Sequence, residues 1–286
     1  MHKFWQNIYR ANYISGYNPF LLKNMNKALE RVVKAINERE KIIIYGSCDV
    51  DGICGSSLLL LVLKYLNADV EYYLPEEQSS NYYIDDYIVK NRLKILGTNL
   101  IITSGCCLKN KEQEDLCREL NIDIIVTDYK SNEFKSDFIT INPNEKGCSY
   151  RYKNLSASGI AFKLTQALAI YYNMKCINKY IDLVLLGSCA AEVSITGENK
   201  VIFNEGLKHL RQTNNYGLKA LMSLNNKTSY NEMEIRELIK ILTPKLNVVG
   251  RMDNARIVVE LLTTSDKDRA EQIAKYLTME LKNIVS

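Results

Sequence analysis

Apolar residues in this chain alternate between short unbroken runs and longer stretches at helical spacing. Residues 18–39 open on Asn18-Pro19 and carry Phe20, Leu21, Leu22, Met25, Ala28, Leu29, Val32, Val33 and Ile36. That i, i+3, i+4, i+7 spacing predicts an amphipathic helix. Short, mainly apolar runs at 41–45, 70–75, 100–103, 122–127 and 138–141 predict strands, with Pro75 closing the second and Asn142-Pro143 the last. Residues 56–66, 85–96 and 111–120 predict the helices between them. Strands alternating with helices imply parallel βαβ units. Strands built on consecutive rather than alternating apolar residues imply a sheet covered on both faces. Residues 158–173 and 178–191 then predict helices rich in Ala and Leu, and the last seventy residues read as mainly helical. The expected fold is α/β, a mainly parallel sheet flanked by helices, followed by a helical connector. In such folds ligands gather at the carboxyl ends of the strands. Asp49, Asp51, Gly105, Cys106 and Asp128 all fall on that lip.

Composition narrows the class. The 47% hydrophobic content of 286 residues suffices for a packed core and argues against disorder. Four prolines and 13 glycines leave little room for linkers. The N-terminus lacks a basic-then-apolar secretion signal, and the apolar run at 58–63 is too short to cross a bilayer. We expect a soluble, cytoplasmic chain without a membrane partner. A net charge of +4 permits nucleic-acid binding without requiring it. The eight cysteines, at 48, 54, 106, 107, 117, 148, 176 and 189, form no CxxC pair and suit reduced thiols better than a disulfide framework.

Seven segments carry a resemblance. They include Tyr45-Gly46-Ser47-Cys48-Asp49-Val50-Asp51-Gly52, Ile101-Ile102-Thr103-Ser104-Gly105-Cys106 and Ile125-Val126-Thr127-Asp128. Leu155-Ser156-Ala157-Ser158-Gly159 and Leu186-Gly187-Ser188-Cys189-Ala190-Ala191-Glu192-Val193 follow, then Thr196-Gly197-Glu198-Asn199 and Pro244-Lys245-Leu246-Asn247 with Gly250-Arg251-Met252. In this order the chain resembles the DHH phosphoesterase superfamily and, within it, the RecJ-like single-strand exonucleases. The resemblance spans nearly the whole chain. It implies a pair of divalent ions, Mn²⁺ or Mg²⁺, held by carboxylates and an imidazole, which suits those metals and phosphodiester hydrolysis.

The departures from the family pattern are concentrated at that metal site. Asp49 and Asp51 match ligand positions. The leading Asp of the first motif is Ser47, and the Asp of the second is Gly105. The histidines of the Asp-His-His signature are Tyr129 and Lys130, after Asp128, and the Asp of the fourth motif is Ala191. Glycine and alanine offer no donor atom, and a lysine repels a cation. Only His2 and His209 occur in the chain. Glu192, one place past Ala191, would be turned about 100° away on a helix.

Each candidate has two readings. Asp49 and Asp51 either hold one weak ion, with Glu192 as a third donor, or cap the helix that follows, the cap being favoured because so few carboxylates hold Mg²⁺ poorly. Lys130 either pairs with Asp49, Asp51 or Asp128 in place of metal charge or is a solvated loop residue. Cys48, Cys106, Cys107 and Cys189 either bind zinc or, in the favoured reading, are small apolar residues. Ser158 and Gly159 at a helix start can cradle a phosphate or form a turn and cap. Asn247 and Arg251 can contact phosphate or lie at the surface.

The sequence thus leads to two main functional expectations, with a small-molecule phosphate or nucleotide sensor at the same lip, without turnover, as a third. One is a catalytically inactive RecJ-like module without cofactor, binding single-stranded nucleic acid, a protein complex or a second copy of itself. The other is a divergent phosphodiesterase with a reduced Mn²⁺ or Mg²⁺ site around Asp49, Asp51 and Asp128. Residues 1–243 are expected to form the DHH-type domain, and 244–286 a helical connector toward a second domain that the chain lacks. The apolar stripe Ala270, Ile273, Ala274, Leu277, Leu281 on the terminal helix is expected to need cover, as from a second copy.

Overall fold

The computed structural model describes residues 16–75, 82–130, 134–175, 177–225, 232–245 and 254–285, the side chains of 282–285 excepted. Five strands, β1 (Lys41–Gly46), β2 (Val70–Tyr73), β3 (Thr98–Ser104), β4 (Asp123–Thr127) and β5 (Ile139–Ile141), form one sheet in the order β2-β1-β3-β4-β5. Every pairing is parallel, with Ile42 beside both Val70 and Leu100, and Ile125 beside Ile139. The α/β expectation is met.

Side chains alternate between two buried faces, which is why the strands read as continuous apolar runs. Ile42, Ile44, Leu100, Ile102, Ile125 and Ile141 enter the larger core, whereas Ile43, Tyr45, Ile101, Ile124 and Val126 enter a smaller one beneath Ile88, Val89, Leu93 and Cys117.

The helices are α1 (Met25–Asn37), α2 (Val50–Tyr65), α3 (Lys111–Glu119), α4 (Ala157–Tyr171), α5 (Ile181–Ala190), α6 (Gly197–Arg211), α7 (Tyr216–Leu224), α8 (Glu232–Leu242), α9 (Asn254–Thr263) and α10 (Lys267–Val285). α2 is buried from Val50 to Leu60 without a break and packs against α4, α5 and α9 as well as the sheet. A helix buried all round has no polar face to show, so its apolar periodicity is weak.

Three helical expectations change. The stretch 18–39 is two pieces, a 3₁₀ turn Pro19–Leu21 and then α1, separated by Asn24 at φ +63°. Asparagine is among the few non-glycine residues that take that conformation readily. The stretch 85–96 is one α-turn, Asp86–Ile88, running into a π-turn, Val89–Leu93. The stripe on α10 is already covered: Ala270, Ile273, Ala274 and Leu277 are buried, and α10 packs on α7. It therefore needs no second copy. Among the described residues no helix is long and apolar enough to cross a membrane.

Candidate functional site

The strand order reverses between β1 and β3, the topological switch point at which open α/β sheets bind ligands. The turns after β1 and β3 carry the first two motifs. Asp49 is the N-cap of α2, exposed, and its Oδ1 accepts a hydrogen bond from the Gly52 N–H at 2.8 Å. α2 therefore starts at Val50, six residues before the expected start.

Asp51 is 5% exposed and faces away from Asp49's solvent, into the start of α4. Its Oδ2 accepts from the Ala157 N–H at 2.7 Å, and its Oδ1 accepts from the Ser158 N–H at 2.9 Å and the Ser158 hydroxyl at 2.5 Å. A carboxylate at a helix N-terminus satisfies donors that the helix itself cannot and meets the positive end of its dipole. Ser156 caps the same helix through the Gly159 N–H at 3.1 Å and lies 3.1 Å from the Ser188 hydroxyl on α5. Burial pushes the Asp51 carboxyl up to about 6, and Asp49 adds to the rise, against the lowering by the Ser158 and Ala157 donors.

Close helix packing locks this network. A Cβ at Gly187 would stand 2.3 Å from the Ser158 Oγ and 2.8 Å from the Asp51 Oδ1. Ser47 is 2% exposed, its hydroxyl has no partner among the described residues, and a Cβ at Gly105 would stand 2.7 Å from it. Gly105 also sits at φ +76°, which a side chain adopts only with strain. Positions 47 and 105, which the resemblance makes metal-ligand positions, therefore meet in space without a carboxylate, while Asp51 turns to the start of α4.

At the end of β4, Asp128 is 2% exposed, and its Oδ2 accepts from the Tyr82 hydroxyl at 2.9 Å. Its Oδ1 accepts from the Tyr129 N–H at 2.8 Å. Burial pushes its carboxyl upward, and the Tyr82, Lys130 and Tyr129 donors and the Lys130 charge pull it back. Burial also raises the Tyr129 phenol, and the charges of Asp51, Asp49 and Asp128 add to the rise, placing this neutral hydroxyl beside the acidic cluster. Lys130 is exposed, and its ammonium stands over the Tyr82 ring, 4.3 Å from the centroid. Among the described residues no carboxylate lies within ion-pair distance of Lys130, so the expected pairing with Asp49, Asp51 or Asp128 is replaced by a cation–π contact. Tyr82 was invisible to sequence reasoning: it lies 46 residues before Asp128 and belongs to no motif.

α5 ends at Ala190, so Glu192 is not helical. It sits at φ +53°, exposed, and lines a cavity between α5, α6 and α8 whose walls include none of Asp49, Asp51 and Asp128. Ser158 and Gly159 give their N–H groups to Asp51 and Ser156, so a phosphate would have to displace both. Asn247 and Arg251 lie outside the described residues. Of the cysteines, Cys48 donates to the Pro75 carbonyl and Cys189 lines the cavity. Burial raises the Cys107 thiol to about 12 and that of Cys189 to about 11. Among the described residues no three His, Cys, Asp or Glu side chains are grouped to hold a metal ion. A Mn²⁺ or Mg²⁺ pair needs oxygen-rich shells that stay open to substrate. The donors here do not fit that group.

A doubly wound parallel sheet with acidic turns at its switch point defines an α/β domain with a ligand-binding lip at the carboxyl ends of its strands. The sequence pattern of the DHH family, N-terminal domain, matches residues 41–188, and the chain belongs to that family as a RecJ-like member. The single-stranded-DNA-specific exonuclease RecJ of Bacillus subtilis is 34% identical over 260 residues, which cover 90% of this chain and 32% of that relative. RecJ of Haemophilus influenzae is 26% identical over 297 residues, covering 96% of this chain and 51% of its own length. The chain thus spans between a third and a half of these relatives. A crystal structure of exonuclease RecJ bound to manganese shares the fold at a TM-score of 0.82 and 22% identity, covering 92% of this chain and 66% of the other.

Proposed function

We infer that this chain is a RecJ-like domain that no longer hydrolyses phosphodiesters and acts as a cytoplasmic binding module for single-stranded nucleic acid or a protein partner. One observation carries the reading. The carboxylate of Asp51 is engaged by Ala157 and Ser158 as a helix cap, while Ser47 and Gly105, which meet each other on the same lip, offer no carboxylate. Residues 1–243 supply the domain, and residues 244–286 are its connector.

A specific observation favours a second reading, a divergent metal-dependent exonuclease acting on single-stranded DNA. Asp49, Asp51 and Asp128 are retained at the strand-end lip, and all three raise the Tyr129 phenol electrostatically. Incubation with 5′-labelled single-stranded DNA and Mn²⁺ separates the two. The first reading expects no cleavage above a protein-free control. Turnover that disappears in Asp51→Ala would establish the second.

A further inference from the structure

The cavity between α5, α6 and α8 has a volume of about 600 Å³, within the range of small-molecule sites. Ile202 and Phe203 of α6 and Ile235 and Ile239 of α8 give it apolar walls and one aromatic face. Two features point to a ligand. Asn199, which lines it, is 3% exposed and has an unpartnered Oδ1. Its amide cannot simply flip, because Nδ2 donates to the Asn154 carbonyl at 2.7 Å and the Ser194 carbonyl at 3.0 Å. A buried acceptor held in that orientation calls for an N–H or O–H donor from outside.

The second feature is charge along α8. Glu232, Arg236 and Lys240 follow one another at i, i+4 and i+8 and all line the cavity. Among the described residues neither cation has a carboxylate within ion-pair distance. The acidic end of this row is about 12 Å from the basic end at the helical rise. Glu192 joins the acidic groups on the cavity wall, so the site suits a polar ligand with N–H donors at one end and an anion at the other.

We propose that this cavity binds a nucleoside monophosphate unit, free or as the end of a single strand. The base lies against Phe203, one of its N–H groups donates to the Asn199 Oδ1, and the phosphate sits between Arg236 and Lys240. The assignment is independent of chemistry at the lip, because it uses no residue of the acidic cluster. Ser188 touches both, lining the cavity and meeting Ser156.

Calorimetric titration of the full chain with dAMP, dCMP, dGMP and dTMP, with deoxyribose 5-phosphate and with a 5′-phosphorylated tetranucleotide tests this. Saturable binding of at least one mononucleotide, and none of the sugar phosphate, is expected. Ile239→Trp, which fills the cavity, and the exposed pair Arg236→Ala with Lys240→Ala should each weaken it at least about tenfold, or about 1.4 kcal/mol, with melting temperatures retained. A tetranucleotide that binds with the same losses assigns a strand end, and binding of mononucleotides alone assigns a free nucleotide. No saturable binding of any probe, equal binding of the sugar phosphate, or binding undiminished in both variants would overturn the proposal. Mn²⁺-dependent cleavage would contradict the proposed function and leave this assignment standing.

Discussion

Asp51→Ala removes one carboxylate and strands three donors: the Ala157 N–H, the Ser158 N–H and the Ser158 hydroxyl. The hydroxyl retains an alternative in Ser156, 3.0 Å away, but the two N–H groups do not. A buried unsatisfied donor costs about 1–3 kcal/mol, and the anion's favourable position at the α4 N-terminus is lost as well, worth up to about 2 kcal/mol when partly buried. The opposing gains are release of a carboxylate whose burial disfavours its charged form and relief from repulsion by Asp49, the second being small because Asp49 is exposed and screened. We expect a net loss of about 3–5 kcal/mol, or roughly 10 °C in Tm at this chain length. Asp49→Ala, which gives up only the cap on Gly52, should cost about 0.5–2 kcal/mol. Urea denaturation followed by circular dichroism, with unchanged slope, reads both. A carboxylate kept for an absent ligand would behave oppositely: an Asp51→Ala protein as stable as the parent, or more so, would refute the capping role.

Lys163 and Glu198 form a buried ion pair, each side chain 3% exposed, shared with the Tyr17 backbone and the Tyr150 hydroxyl. Lys163→Met alone should cost about 3–5 kcal/mol by leaving a buried carboxylate unpaired, and a denaturation midpoint near the parent's would exclude that pairing. Burial of the Glu114 carboxyl is outweighed by Lys111, Ser136, the Asp137 N–H and Arg118, which hold it down at about 2. A depressed acid stabilises the fold above its unfolded pKa and loses that contribution as pH falls through the folded value. The parent's advantage over Glu114→Gln should therefore shrink between about pH 5 and pH 2, and a difference independent of pH would count against it. Lys130→Met removes an exposed cation–π contact and should change stability by less than about 1 kcal/mol. A loss several times larger would mean that Lys130 neutralises the acidic cluster after all.

The sheet was legible because the strands are built around runs of consecutive apolar residues that enter both cores, a pattern that burial on both faces rewards. Helix starts were less so. Gly52 and Gly55 hid the first turns of α2, although Asp49 stood in plain view as its cap. Long-range pairing was not legible at all. Asp51 and Ser158 were both conspicuous, yet 107 residues separate them, and read singly they suggested two sites where there is one network. Lys130 pointed by sequence at its neighbour Asp128, while its actual partner, the Tyr82 ring, comes from the far side of β3 in the chain. The α10 stripe announced a buried surface without announcing that α7 of the same chain covers it. The family resemblance ordered these pieces, and the departures at 47, 105, 129, 130 and 191 were readable from residue identity alone.

The central claim is that the lip, with Asp51 committed to α4, does not seat paired divalent cations. Electron paramagnetic resonance titration of the purified chain with Mn²⁺ counts bound ions directly, since free hexaaquo-Mn²⁺ retains its six-line signal. The account predicts that the signal grows in proportion to added Mn²⁺ from the first equivalents. Quenching of two equivalents per chain, abolished by Asp51→Ala, would contradict it.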